Sequence, residues 1–315
     1  MQLKVIFPTL LFGISSICSA SVIDYAGKKE AFSLLAKPVV GNVTTPDGSI
    51  LGYRLYNGGK SDSTPVILVC GVNMLQNDWR DVIPPLAKDR PVLTYDNRGM
   101  GESSVMNDSL ITMSNMVNDI QHLIQHLAWK RINLVGISMG AMISQSFAAT
   151  HPTDLVLENL ILVSSGHKSG LEGPIPVGQW IEEMHNPPNA TERYNFQDKL
   201  FSACLTPEYI RDHPQETKAF LELIHAGKNR NFDAFMAQCV RALSHYDFTE
   251  ALKTISTRTL VLHGKEDVVL LPQNGRDINA LIRGSKYIEY PNGGHLLYQT
   301  NPEVIKEISE FLVSH

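Results

Sequence analysis

The chain has 315 residues, 43% of them hydrophobic and 19% charged, with a formal net charge of −5. That is ordinary globular composition, enough for one large α/β domain with an insertion or for two domains. It gives no case for a nucleic-acid partner, and none is expected, because the basic residues are scattered and no Lys/Arg run is long enough to make a footprint.

Residues 1–20 stand apart. Lys4 is the only charge before Asp24, Val5 to Ile17 is mostly apolar, and Cys18-Ser19-Ala20 places small residues where a signal peptidase inspects them. The apolar stretch is too short for a bilayer span, which needs about 20 residues. Residues 1–20 are therefore expected to be a cleaved secretory signal, with the mature chain secreted, periplasmic or lumenal and carrying no membrane span. Cleavage after Ala20 leaves Cys70, Cys204 and Cys239. An odd number cannot form a full disulfide framework; they read as buried free thiols, with a Cys204–Cys239 bridge as the alternative.

Past the leader, strand-length apolar runs alternate with longer amphipathic stretches. Ile50 to Tyr56 alternates as a strand. Val66 to Val69, Val92 to Tyr95, Ile132 to Val135, Leu160 to Val163, Thr259 to Leu262 and Lys286 to Tyr290 read as further strands ended by turn residues. Between them, Met113 to Leu127 places Met116, Ile120, Leu123 and Leu127 on one helical face. Met142 to Ala149 reads as a second helix. Pro272 to Ile282 and Pro302 to Val313 each begin with the proline that suits a first turn. This alternation predicts a mostly parallel sheet with helices on both faces. It breaks after Ser164-Ser165-Gly166. From His167 to Asp247 no strand is evident; a Gly/Pro-rich loop from Gly170 to Gly178 gives way to helical stretches around Gln179 to Met184, Gln215 to Ala226 and Phe232 to Leu243. The expected organisation is a core over 21–166 and 248–315 with a helical cap, 167–247, lying over the strand ends where ligands of open α/β sheets bind.

Gly136-Ile137-Ser138-Met139-Gly140 sits where a strand gives way to a helix. A serine hydroxyl is a poor nucleophile and must be lifted clear of the sheet on a tight turn, where a base can reach it. Such a turn crowds its neighbours, so the positions two before and two after Ser138 must be nearly free of side chain. The helix beginning after Ser138 offers unpaired N–H groups and a positive dipole end to a developing oxyanion. Such a serine needs a base and an orienting acid from later loops. Asp267, in Gly264-Lys265-Glu266-Asp267, follows one strand; His295, in Gly293-Gly294-His295, follows the next. The order Ser138, Asp267, His295 is the one this architecture uses. The backbone N–H groups of Met139 and of Val72, in Cys70-Gly71-Val72-Asn73, are the candidate oxyanion donors.

With these motifs the chain resembles the α/β-hydrolase superfamily, in its branch of capped esterases, lactonases and carbon–carbon bond hydrolases. The resemblance runs from Asp47 to the end, apart from the cap. Tyr95-Asp96-Asn97-Arg98-Gly99-Met100-Gly101-Glu102-Ser103 is similar to the branch's D-x-R-G-x-G-x-S loop, which implies structural roles for Asp96 and Arg98. Leu134 to Gly140 matches the nucleophile elbow. The resemblance implies the α/β-hydrolase fold, with the cap inserted after the sixth strand, and no cofactor or metal. Two positions depart from it: Cys70 stands where histidine usually precedes the oxyanion-loop glycine, which bears on that loop's geometry, and Ala141 stands where a second glycine is common. Epoxide-hydrolase and dehalogenase relatives use an aspartate nucleophile, and Ser138 argues against them.

Other residues have plainer readings. His122 and His126 have the i, i+4 spacing of metal ligands, but no third ligand accompanies them. His263 reads as a packed or loop-stabilising histidine, Asp233 and Asp277 as solvated, Trp180 and Met184 as cap core. His245 and Asp247 lie where the cap returns. The function expected is hydrolysis of a small or medium carboxylic ester through an acyl-enzyme on Ser138. Lactone opening, carbon–carbon cleavage, amide hydrolysis, or ligand binding without turnover on the same fold are the alternatives, since the cap rather than the triad sets the substrate.

Overall fold

The computed structural model describes residues 37–58, 63–169, 173, 179, 189–226, 230–243 and 246–313. The leader, Trp180, Met184, His245 and nearly all of the helix expected around Gln179 to Met184 lie outside the described residues. Every strand read from the sequence is present. They are β2 (Ile50–Tyr56), β3 (Val66–Val69), β4 (Val92–Tyr95), β5 (Arg131–Ile137), β6 (Val156–Val163), β7 (Arg258–Gly264) and β8 (Lys286–Tyr290), and β1 (Val39–Thr44) joins them. The sheet runs β1-β2-β4-β3-β5-β6-β7-β8; β2 is antiparallel to β1 and β4, and every pairing from β4 to β8 is parallel. β1 gave no sequence signal because it is an edge strand: Val39 and Val40 are exposed and Gly41 and Asn42 interrupt the pattern.

The central strands are unbroken apolar runs because both faces are covered. On β3, Ile67 and Val69 enter one core while Val66 and Leu68 enter the other; on β6, Leu160 and Leu162 oppose Ile161 and Val163 in the same way. The first core is closed by helices α1 (Met113–His126), α2 (Met139–Thr150) and a later helix, Gln273–Leu281, which supplies Ile278. The second is closed by the turn Ile83–Leu86, by Trp79, and by the C-terminal helix Glu303–Val313 through Val304, Ile308 and Phe311. Each fully buried aliphatic side chain contributes roughly 1.5–3 kcal/mol, so displacing either helix layer exposes a whole strand face. α1 starts where Thr112 Oγ1 accepts from Asn115 N–H at 3.2 Å, and it buries Met116, Ile120 and Leu123 as its spacing requires.

Between β6 and β7 the chain leaves the sheet and returns beside itself. Lys168 and Asp247 form an antiparallel bridge, and Phe248 N–H donates to the His167 carbonyl at 2.8 Å. The described part of this insertion is helical: α3 (Ala190–Ala203), α4 (Pro207–Asp212), α5 (Pro214–Ala226) and α6 (Phe232–Ala237), the last running into a π-helical turn, Gln238–Ala242. α5 and α6 stand where helices were expected; α3 and α4 are additional. Each carries a legible start signal. Asn189 accepts from Glu192 N–H at 3.1 Å while its own N–H donates to the Glu192 carboxylate at 2.9 Å, a reciprocal cap. Thr206 caps α4, with Pro207 as its first residue.

Candidate active site

β5 ends at Ile137 and α2 begins at Met139, leaving Ser138 alone on the turn with φ 54° and ψ −123°. A non-glycine residue held there costs about 1–3 kcal/mol and persists only when its surroundings over-determine it. Here Ser138 N–H donates to the Val163 carbonyl at 2.9 Å, and its own carbonyl accepts from Ala141 at 2.9 Å and Met142 at 3.1 Å. The need for bare neighbours is explicit. A Cβ on Gly136 would lie 2.4 Å from the Gly140 carbonyl oxygen, and one on Gly140 would lie 2.1 Å from that of Val69. Ala141, at the departing position, is fully buried.

The structure brings the three predicted side chains into one line. His295 Nε2 lies 2.9 Å from Ser138 Oγ, and His295 Nδ1 lies 2.8 Å from Asp267 Oδ2. An ionised carboxylate only accepts, so the imidazole proton sits on Nδ1 and Nε2 is free to accept from the serine. Asp267 Oδ1 accepts from the backbone N–H groups of Val269 and Leu270, both at 2.9 Å. Burial alone would raise the Asp267 carboxyl; the attraction of His295 and hydrogen bonds from both histidines overcome it, and the group is held below the usual carboxylate range. The acid and base loops are locked together, since Glu266 N–H donates to the Gly293 carbonyl at 2.9 Å.

His263 does more than pack. It is fully buried, with Nε2 3.0 Å from the Leu270 carbonyl and 3.2 Å from Asp267 Oδ2. Both partners are acceptors, so Nε2 carries the proton, and His263 steadies the acid as well as its loop. Its position at the end of β7 was legible; this contact was not.

The loop after β3 passes against the serine. A Cβ on Gly71 would lie 3.3 Å from Ser138 Cβ, which puts the next residue, Val72, beside the turn whose far side carries Met139. Cys70 is buried, with Sγ 3.7 Å from the Tyr95 carbonyl, and its carbonyl accepts from Asn97 Nδ2 at 2.9 Å. Val72 also touches an apolar cluster of the insertion built from Phe196, Leu200, Phe235 and Cys239, with Phe232 and Met236 at its edge.

A family model described as the alpha/beta hydrolase fold matches residues 64–302. The chain belongs to the α/β-hydrolase family. It is 25% identical over 293 residues to a proline iminopeptidase of Lactobacillus crispatus, covering 84% of this chain and 96% of the relative. It is also 25% identical to a bifunctional esterase/perhydrolase of Acinetobacter calcoaceticus, covering 87% of this chain and 100% of the relative. Among solved structures, the enol-lactonase of Burkholderia xenovorans LB400 superposes with a TM-score of 0.74 at 20% identity, over 88% of this chain and 100% of that one. The last is a likeness of fold.

In this α/β-hydrolase, Asp96 and Arg98 tie loops together. Asp96 accepts from Gln76 N–H at 2.7 Å, Gln76 Nε2 at 2.9 Å and Glu102 N–H at 2.9 Å. Arg98 grips Asp119 on α1 through Nε at 2.8 Å and Nη2 at 2.5 Å, and reaches Asp47 at 2.9 Å. Other histidines and acids singled out in the sequence lie away from the triad's hydrogen bonds. His126 Nε2 lies 3.2 Å from Tyr53 Oη, Asp277 accepts from Gln273 at 2.7 Å, Asp233 is exposed, and Asp247 accepts from Thr249 N–H at 2.9 Å. Cys70, Cys204 and Cys239 are free and buried, so the bridge alternative is not realised. No described helix is long and apolar enough to cross a membrane.

Proposed function

We propose that this hydrolase cleaves a small or medium carboxylic ester through an acyl-enzyme on Ser138. The observation that carries the reading is the unbroken relay from Asp267 through His295 to Ser138, at 2.8 and 2.9 Å. In the reaction His295 Nε2 takes the hydroxyl proton as Ser138 Oγ attacks the ester carbon. The Val72 and Met139 N–H groups receive the oxyanion. The imidazolium, stabilised by Asp267, returns the proton to the departing alcohol. A water deprotonated by His295 then attacks the acyl carbon, and Ser138 leaves with its proton restored.

The helices of 167–247 serve as the cap. Among the described residues, their apolar cluster at Val72 favours an uncharged acyl chain and supports an ester over an N-terminal amide, whose free ammonium needs a counter-charge near the reacting carbon. The resemblance to an iminopeptidase makes the amide the reading to test against. We further propose that residues 1–20 are removed on export; N-terminal sequencing of protein recovered from outside the cytoplasm tests this, and a retained Met1 defeats it.

The deciding experiment compares p-nitrophenyl esters from acetate to palmitate with proline p-nitroanilide, using chain beginning at Ser21 and its Ser138→Ala variant. Ester turnover that disappears in the variant supports the proposal. Preferential anilide cleavage replaces it with a peptidase, and absence of both activities, together with failure of Ser138 to take a fluorophosphonate, leaves a binding protein.

A further inference from the structure

Two side chains of the insertion converge on one residue beside the oxyanion loop. Asn73, directly after Val72, is fully buried and holds φ 56°. Its N–H donates to Gln238 Oε1 at 3.0 Å, and its carbonyl accepts from Arg230 Nη1. Arg230 Nη2 also donates to both carboxylate oxygens of Asp78, at 2.8 and 2.9 Å, and Asp78 in turn accepts from Leu75 N–H at 2.8 Å. Gln238 is wholly buried and opens the π-helical turn Gln238–Ala242. Such turns are rare in helices and recur at functional sites. A left-handed asparagine is tolerated without being favoured, so the loop needs this hold to keep its conformation.

The hold acts one peptide unit from the atom that matters. The N–H held by Gln238 belongs to the peptide unit immediately after Val72, and the carbonyl held by Arg230 belongs to the next. Together they fix the chain on the far side of Val72 and so the direction of the Val72 N–H. The insertion braces the base loop as well, because Leu296 N–H, next to His295, donates to the Cys204 carbonyl at 2.9 Å.

We propose that Gln238 and Arg230 are positioning residues for the Val72 oxyanion donor, so that the oxyanion hole is complete only while the inserted helices are docked. The proposal rests on the serine-hydrolase reading above. Its consequence is that the segment that selects the substrate also gates the chemistry, a form of induced fit in which the wrong occupant lowers kcat and not only affinity.

The test uses Gln238→Leu, which keeps the volume and removes the acceptor, and Gln238→Glu, which keeps an acceptor. Arg230→Lys is the second variant; it retains the charge on Asp78 but lacks the fork that serves Asp78 and Asn73 together. For Gln238→Leu we expect kcat on the best p-nitrophenyl ester to fall about 10- to 100-fold, as for a donor displaced by about 1 Å, with KM within about threefold. Affinity for a trifluoromethyl ketone of the same acyl chain, which forms a tetrahedral oxyanion on Ser138, should weaken in step with kcat/KM. Gln238→Glu should recover most of the loss, and hydrogen exchange at the Asn73 amide should quicken in Gln238→Leu alone. The clamp is overturned if Gln238→Leu and Arg230→Lys fold yet keep kcat and ketone affinity within about threefold of the parent, or if their whole loss lies in KM. A parent protein that neither turns over nor takes a fluorophosphonate defeats the hydrolase reading itself and the clamp's catalytic role with it. Unchanged exchange at Asn73 defeats the structural half separately.

Discussion

Replacing Gly140 with alanine should cost both stability and turnover, and the geometry sets the size of each. The new Cβ would lie 2.1 Å from the Val69 carbonyl oxygen and 2.7 Å from that of Cys70, where ordinary contact begins at 3.4 Å. Both clashing atoms are backbone, so no side-chain rotation relieves them; the end of β3 and the start of α2 must part by about 1 Å in a close-packed interior. Overpacking of this kind costs about 1–3 kcal/mol of stability. The catalytic loss is larger in consequence. β3 leads into the loop carrying Val72, while α2 carries Met139, so the wedge separates the two proposed oxyanion donors. A displacement of about 1 Å costs roughly 10²-fold in rate, approaching the 10²–10³-fold typical when one donor is deleted. The assay is kcat on the best p-nitrophenyl ester, with urea denaturation on the same preparations. Ala141→Gly is the control: it costs about 1 kcal/mol of helix propensity and introduces no clash, so its kcat should stay near the parent's. Parent-like kcat together with parent-like stability in Gly140→Ala refutes the reasoning outright, and a loss of stability with kcat intact refutes the link between elbow packing and the donors.

Four further outcomes are expected. Asp267→Asn should lower kcat by about 10⁴-fold through loss of the correct His295 tautomer and of the charge that stabilises the imidazolium. Because the folded carboxyl of Asp267 is depressed, its contribution to stability is present above its unfolded value, about 3.9, and disappears as pH falls through the lower folded one. Urea midpoints measured from pH 5 downward should therefore fall less steeply in Asp267→Asn than in the parent; equal slopes would show that the depression is absent. Asp119→Ala leaves the Arg98 guanidinium, whose side chain is 2% exposed, with Asp47 as its remaining carboxylate partner and should cost about 1.5–3 kcal/mol of stability while kcat of the folded protein holds; a drop in kcat without loss of stability would move Arg98 into the active site. Burial pushes the Cys70 and Cys204 thiols up and that of Cys239 to about 12. Chain beginning at Ser21 should accordingly show no thiol reactive to Ellman's reagent when native and all three, Cys70, Cys204 and Cys239, in denaturant.

What the sequence made legible is what local physics encodes. β3 to β7 read as strands because both faces of the sheet are covered there, so apolar runs need no alternation to betray them. The elbow reads because Gly136 and Gly140 are forced by atoms two to four residues away or on the adjoining strand, and Asp267 and His295 read because each follows its strand by a short loop. Where the determinants are distant the signal fails. β1 is held by its partner rather than by its own residues, and α3 mixes Glu192, Arg193 and Lys199 with apolar residues so that only its Asn189–Glu192 cap announces it. The bond from His263 to Asp267 was hidden for another reason: at four residues' separation it is local, but a buried histidine at a strand end has many possible partners. Gln238 and Asn73 lie 165 residues apart in the chain and share no motif. Yet that pair, with Arg230, joins the inserted helices to the loop that carries Val72. A substitution in the inserted helices therefore has two routes to the reaction, one through the apolar cluster at Val72 and one through the clamp at Asn73. On the proposed reading, the first alters which acyl chains bind and the second how well the oxyanion is met. On the proposed mechanism, a change in the inserted helices alters substrate choice and turnover without touching Ser138, Asp267 or His295, because Gln238 and Arg230 hold Asn73, the residue after Val72.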